Sequence, residues 1–318
     1  MSYPVQAPYN VNPAYSGTFI PTLWSSKLIA KFYAATVFGE IANTDYEGEI
    51  SGQGDKVVIN TIPSITIRDY VVGQNLTYEV PAGATVELLI DKGKYFGFRV
   101  SDVLEHQSKP NLMSMFSDDA AQQMKVTIDR EVLKGVFNQG AAQNMGATAG
   151  RISAGYNLGT DTAPVALTGA NILATITNMA SVLDEQNVPE SDRFLVISPA
   201  IRTVLMQSNL ANAMFIGDST SMQRNGKIGT IDRFTVYVSN QLPRGAAGQD
   251  WSGNASAGTA KREAMMAGHK TAITFASQIT KVEDLVDQND FGKLVRGLNV
   301  YGYKVIKPES LALAVVSV

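Results

Sequence analysis

The sequence predicts an α+β chain, and three observations carry that class. Residues 56–100 are a succession of short β-rich runs, a long apolar-striped helix follows Pro110, and helix, strand, helix, strand texture fills 165–275. At 318 residues the chain can bury a large core, in one elaborate domain or two. There is no internal repeat.

The first segment is the most unusual. Residues 1–26 hold no Asp, Glu, Lys or Arg, yet carry Tyr3, Tyr9, Tyr15, Phe19 and Trp24, with Pro4, Pro8, Pro13 and Pro21 between them. Unfolded tails stay soluble by being charged and poor in aromatics, and this one has the opposite composition. The prolines forbid a regular helix and favour extended backbone. Such an arm has to dock on its own body or on a neighbouring subunit. Only 17% of the chain is charged, below the roughly 25% usual in soluble domains, which also favours association.

Leu23–Phe38 reads as a short helix or two. The β-rich runs that follow are Val57-Val58-Ile59, Ile65-Thr66-Ile67, Leu76-Thr77-Tyr78 and Val86 to Ile90, with turn signals at Pro63-Ser64, Gly73-Gln74-Asn75 and Pro81-Ala82-Gly83. A long hairpin is only marginally stable by itself, so a projecting one must lie on a neighbour. Beyond Pro110, apolar residues recur at Leu112, Phe116, Ala120, Met124, Ile128, Val132 and Val136. A spacing of four drifts about 40° per step against the 3.6 period, so this stripe winds round the helix and meets different neighbours at its two ends.

Residues 139–170 read as a Gly-, Ala- and Asn-rich loop. A Thr168-capped helix through Leu183 comes next, and it stops before Val188-Pro189. Phe194–Ile197 reads as a buried strand, Ala200–Met206 as a short helix, Asn225-Gly226 as a turn, Arg233–Val238 as a strand and Pro243–Gly258 as a surface loop. Strands return at 281–286, 293–306 and 311–318.

Composition excludes several functions. With no cysteine, disulfides, thiolate metal sites and cysteine nucleophiles are out. A net charge of −3 argues against a dedicated nucleic-acid binder, which needs a basic stripe. No secretory signal and no run of roughly 20 apolar residues is visible, so no membrane partner is expected. His106 and His269 are the only histidines, and no Gly-x-Ser-x-Gly elbow accompanies them. Asp45, Glu47 and Glu49 alternate as a solvated strand face would. Asp287, Asn289, Asp290 and Gly292 begin like a calcium loop, but Phe291 and Leu298 stand where oxygen ligands belong. Gly52-Gln53-Gly54-Asp55 precedes a strand and is explained as a turn. No catalytic, cofactor or metal residue is assigned.

Several stretches together resemble tailed-phage major capsid proteins. They are Phe19-Ile20-Pro21, Ile41-Ala42-Asn43-Thr44-Asp45-Tyr46-Glu47-Gly48, Gly54-Asp55-Lys56-Val57 and Leu183-Asp184-Glu185-Gln186-Asn187-Val188-Pro189. Gly226 to Phe234, Val236 to Pro243 and Arg296 to Gly302 continue the likeness, which runs from about residue 19 to about residue 308. It implies the Hong Kong 97-type capsid fold shared with encapsulin shells. The expected parts are an N-terminal arm (1–49), an extended hairpin loop (50–100), a peripheral domain with a spine helix (101–164), an axial domain (165–270) and strands returning to the peripheral domain (271–318).

The resemblance also implies a function without catalysis: self-assembly into hexamers and pentamers of an icosahedral shell that encloses phage DNA without reading its sequence. Arm and hairpin lie across adjacent subunits in the family, so Tyr9, Tyr15, Phe19, Trp24, Arg68, Asp69 and Tyr70 are the expected interface residues. Many family members without a separate scaffold carry a charged helical N-terminal extension, and none is seen here, so a separate scaffolding protein is implied. A portal protein is a further expected partner, with assembly in the host cytoplasm, and the presence of a decoration protein is left open by the sequence. Some members join a hairpin lysine to a neighbour's asparagine, but nothing in the sequence assigns that chemistry to Lys56, Lys92 or Lys94. The alternatives are an encapsulin-like cargo shell and a hydrolase using His106 or His269.

Overall fold

The structure is a computed structural model. It describes residues 34, 36–45, 56–60, 63, 65–81, 83, 85–101, 112–137, 139–208, 229–245, 261–287 and 291–318. In chain order the elements are α1 (Phe38–Ile41), β1 (Lys56–Asn60), β2 (Thr85–Leu89), β3 (Lys92–Ser101), α2 (Leu112–Phe137), β4 (Val165–Ala166), α3 (Ile172–Glu185), β5 (Arg193–Ile197) and α4 (Pro199–Met206). The remainder are strands: β6 (Thr230–Ile231), β7 (Phe234–Val238), β8 (Arg244–Gly245), β9 (Arg262–His269), β10 (Ile273–Val286), β11 (Gly292–Val305) and β12 (Leu311–Ser317).

The core is built on a seven-stranded mixed sheet in the order β4-β12-β9-β5-β7-β6, with β8 also pairing β9. Because side chains alternate across a strand, a sheet covered on both faces reads as a continuous apolar run. Strands β5, β9 and β12 do so. Leu195, Ile197, Met265, Ala267, Ala312, Ala314 and Val316 pack in the cluster that holds α3 and α4. Their neighbours Phe194, Val196, Ala264, Met266, Leu311, Leu313 and Val315 pack in the cluster that holds α1 and the end of α2. α4 is capped by the Ser198 hydroxyl, which accepts from Ile201 N at 3.2 Å, with Pro199 in the first turn, where its missing N–H is harmless.

The helix α2 spans 26 residues, about 39 Å. Its four-spaced stripe winds as expected. Phe116, Ala120 and Met124 line a gap against β3, whereas Ile128, Val132 and Val136 enter the core. Against α2 lies an antiparallel sheet in the order β10-β11-β3, and β10 and β11 form a ribbon of 14 residues each. Phe96 lies over Gly297, its partner on β11, so a Cβ at 297 would collide with the ring. The pair β1–β2 crosses this ribbon, burying Leu88 and Ile90 against Ala276. At the crossing, a Cβ on Gly302 would strike the Leu89 carbonyl.

Four expectations need correction. Ile65–Ile67 and Leu76–Tyr78 are extended but carry no strand ladder, and only 56–60 and 85–89 of the hairpin pair. Thr168 does not cap α3: Asn171 holds the N-cap position, and its Oδ1 reaches back to accept from Thr168 N at 2.7 Å. Strand β12, expected beside the peripheral elements, lies between β4 and β9 in the central sheet. Within the Pro243–Gly258 loop, Arg244–Gly245 is a strand on β9, while 246–258 fall outside the described residues. So do Asn225-Gly226, Glu47, Glu49, Asn289, Asp290 and most of Leu23–Phe38.

Candidate subunit interface

The hairpin tip, residues 65–81, reverses at a four-residue turn. Gln74 N donates to the Val71 carbonyl at 3.0 Å, and Gly73 at φ +90° takes the third position, where a left-handed backbone suits glycine. The two limbs are held by side chains instead of a ladder. Thr66 N donates to Glu79 Oε1 at 2.7 Å, and Arg68 reaches both Thr77 Oγ1 and Glu79. Apolar residues on these limbs have no home in the subunit: Ile67 is 91% exposed, Val72 89%, Tyr78 89% and Val80 95%. Arg68, Asp69 and Tyr70 sit together on this tip, all exposed.

Where the arm joins the body, it is clasped to α2. The Asp129 carboxylate is fully buried, and its Oδ1 accepts from Val37 N at 3.0 Å and Phe38 N at 2.9 Å. Burial pushes this carboxyl up from its ordinary value of 3.8, against the pull of the two backbone N–H groups. Tyr9, Tyr15, Phe19 and Trp24 fall outside the described residues.

The N-terminal half of α2 stands off β3, leaving a wedge of about 440 Å³ lined by Phe96, Phe98, Phe116 and Met124. Phe98 meets Phe116 edge-on at 5.9 Å between ring centres. Lys94, which also lines the wedge, reaches Glu131 at 2.7 Å, and Lys92 Nζ lies 3.8 Å from the same carboxylate. Burial raises the Glu131 carboxyl, but Lys94, Tyr301 and Lys92 together outweigh that and hold it below the usual range. All three hairpin lysines are thus paired within their own subunit, Lys56 with Glu87 at 3.1 Å. Sequence reasoning missed this wedge. Its available signal was Phe96 and Phe98 alternating on one strand.

Little in the described residues favours chemistry. His269 is buried, and its Nδ1 accepts from Thr271 N at 3.2 Å, a structural cap with the Thr271 hydroxyl at 2.8 Å. Burial pushes its pKa below 6.5, with Lys307 and Arg193 adding to the shift and Asp192 opposing it. His106 lies outside the described residues. Among the described residues no group of three or more acidic or imidazole side chains could hold a metal, and no helix is long and apolar enough to cross a membrane.

The family model described as phage capsid protein matches residues 85–314, well over half of the chain. The chain belongs to the phage capsid protein family. A solved chain titled Mycobacterium phage Che8 is 27% identical, with a TM-score of 0.75, covering 95% of this capsid protein and 98% of that chain. The capsid structure of the cyanophage P-SCSP1u is 18% identical with a TM-score of 0.73, covering 97% and 99%. The mature capsid of bacteriophage PhiM1 is 13% identical with a TM-score of 0.70, covering 98% of each chain. None of the curated proteins matched the sequence. The capsid protein is a structural component of the virion and forms its shell, with the expected α+β capsid fold.

Proposed function

We propose that the capsid protein closes its shell through two projecting parts, the arm and the hairpin tip, laid across neighbouring subunits of hexamers and pentamers. The observation that carries this is the tip: an unpaired, apolar, extended segment that its own subunit does not cover. Arg68, Asp69 and Tyr70 set the register of that contact, since polar contacts at a rim select partners more than they add affinity. Tyr9, Tyr15, Phe19 and Trp24 add apolar burial at roughly 25 cal/mol per Å². The division into arm, hairpin loop, peripheral domain with α2, and axial domain follows the same reading, with β12 assigned to the axial sheet.

In this reading the protein has no catalytic role and encloses DNA without sequence-specific contacts. A scaffolding protein and a portal are its partners, and assembly takes place in the host cytoplasm. The test is the triple variant Arg68→Ala, Asp69→Ala, Tyr70→Ala. Its subunits should keep wild-type secondary structure and thermal stability while failing to form closed shells by electron microscopy and sedimentation velocity. Normal shells from this variant would remove the hairpin from the mechanism.

A further inference from the structure

We infer that the wedge between α2 and β3 is the seat of an aromatic anchor from the arm of a neighbouring copy, centred on Trp24. The inference rests on the shell-forming reading above and names the surface that receives the arm. Three observations on the chain support it.

The first is fit. A cavity of about 440 Å³ lies within the roughly 300–1,000 Å³ range of small-molecule pockets and so has room for an indole ring, to which Phe96, Phe98 and Phe116 offer ring faces and edges. The second is charge. Polar groups at the rim are engaged within the subunit: Lys94 holds Glu131 at 2.7 Å, and Gln123 Nε2 donates to Asp119 Oδ2 at 2.6 Å. The rings and Met124 make the wedge mainly apolar, and residues 1–26 are the longest stretch of the chain free of charged residues, with five aromatics in it.

The third is direction. Asp129, which clasps the root of the arm, points away from the wedge. At 100° per residue it lies about 150° round α2 from the mean direction of the wedge-lining positions 116, 119, 120, 123, 124 and 127. Val37 and Phe38 are therefore held on the flank of α2 opposite the subunit's own wedge. The twelve residues between Trp24 and Val37 can span at most about 43 Å, as long as α2 itself, so Trp24 is not confined to the flank that holds Val37.

The chain has no cysteine, so an introduced pair reports alone. One variant carries only Ser25→Cys, beside Trp24, and the other only Gln123→Cys, at the wedge. The two are co-assembled with the scaffold and oxidised. The expected result is a disulfide-linked dimer from the mixed shells. Closed shells without that dimer, for this pair and for Thr18→Cys with Thr127→Cys, would overturn the inference. A disulfide formed only inside one chain of the double variant would overturn it too, assigning the wedge to the subunit's own arm.

A second readout needs no cysteine. In Trp251→Phe shells Trp24 is the sole tryptophan, and adding Phe116→Ala should move its emission to the red. Unchanged emission would count against the wedge. If wild-type protein with scaffold forms no shells, the shell-closing reading itself fails, an outcome distinct from shells without the disulfide.

Discussion

Asp129 shows how one side chain can fix a whole segment. It is fully buried and satisfies two backbone N–H groups at the start of α1, while its Oδ2 has no hydrogen-bond partner among the described residues. Removing the acceptor should cost about 1–3 kcal/mol, because Val37 and Phe38 would be left with stranded donors. Asp129→Ala is therefore expected to lower the urea midpoint clearly, whereas Asp129→Asn keeps an oxygen acceptor and drops the buried charge. The pH dependence separates them further. A carboxyl whose folded pKa is raised stabilises fully below its unfolded value near 3.8, and that contribution is lost as pH rises through the folded pKa. The stability of Asp129→Asn relative to wild type should thus improve with rising pH across that window, and a flat difference would refute the assignment.

At the scale of elements, the hairpin tip depends on Gly73, whose φ of +90° suits few other residues. Gly73→Val should strain the turn by about 1 kcal/mol or more. Because the tip stands clear of the core, subunit melting should hardly change while the yield of closed shells falls. Comparing calorimetry with shell yield checks this. The elements legible in the sequence were those whose signal is local. The long stripe of α2 and the β-rich or apolar runs of β1, β2 and β5 are legible in place, because such local patterns report burial directly. The placement of β12 was not legible, since Leu311–Ser317 reads as an apolar strand whichever sheet receives it. The limbs of the tip were misread as paired strands because Ile65, Ile67, Leu76 and Tyr78 favour extension, while a ladder requires a partner that the sequence of one subunit does not supply. For the interface, the sequence pointed to the arm and the tip as projecting parts but not to the wedge, which exists only once α2 and β3 are folded side by side.

Taken as a whole molecule, the chain is poor in charge and exposes apolar groups at the tip and along the outer ribbon, where Phe291 is 83% exposed. Contacts built from such groups should strengthen in kosmotropic salts that are excluded from protein surfaces. Ammonium sulfate is thus expected to lower the subunit concentration at which shells form, read by light scattering, and sodium chloride at equal ionic strength should do less. A weaker effect from sulfate than from chloride would show that ion pairs dominate. The position of β12 has a consequence of another kind. It pairs with β9 on one side and β4 on the other, its Leu313 bridges to Met145, and Leu158 accepts from Val315 N at 2.8 Å. A ribosome delivers the chain from its N-terminus at about 5–20 residues per second, so the central sheet stays open until residue 317 has left the exit tunnel. Until then β4 and β9 have no strand between them, and the subunit cannot complete its core however early its other elements form.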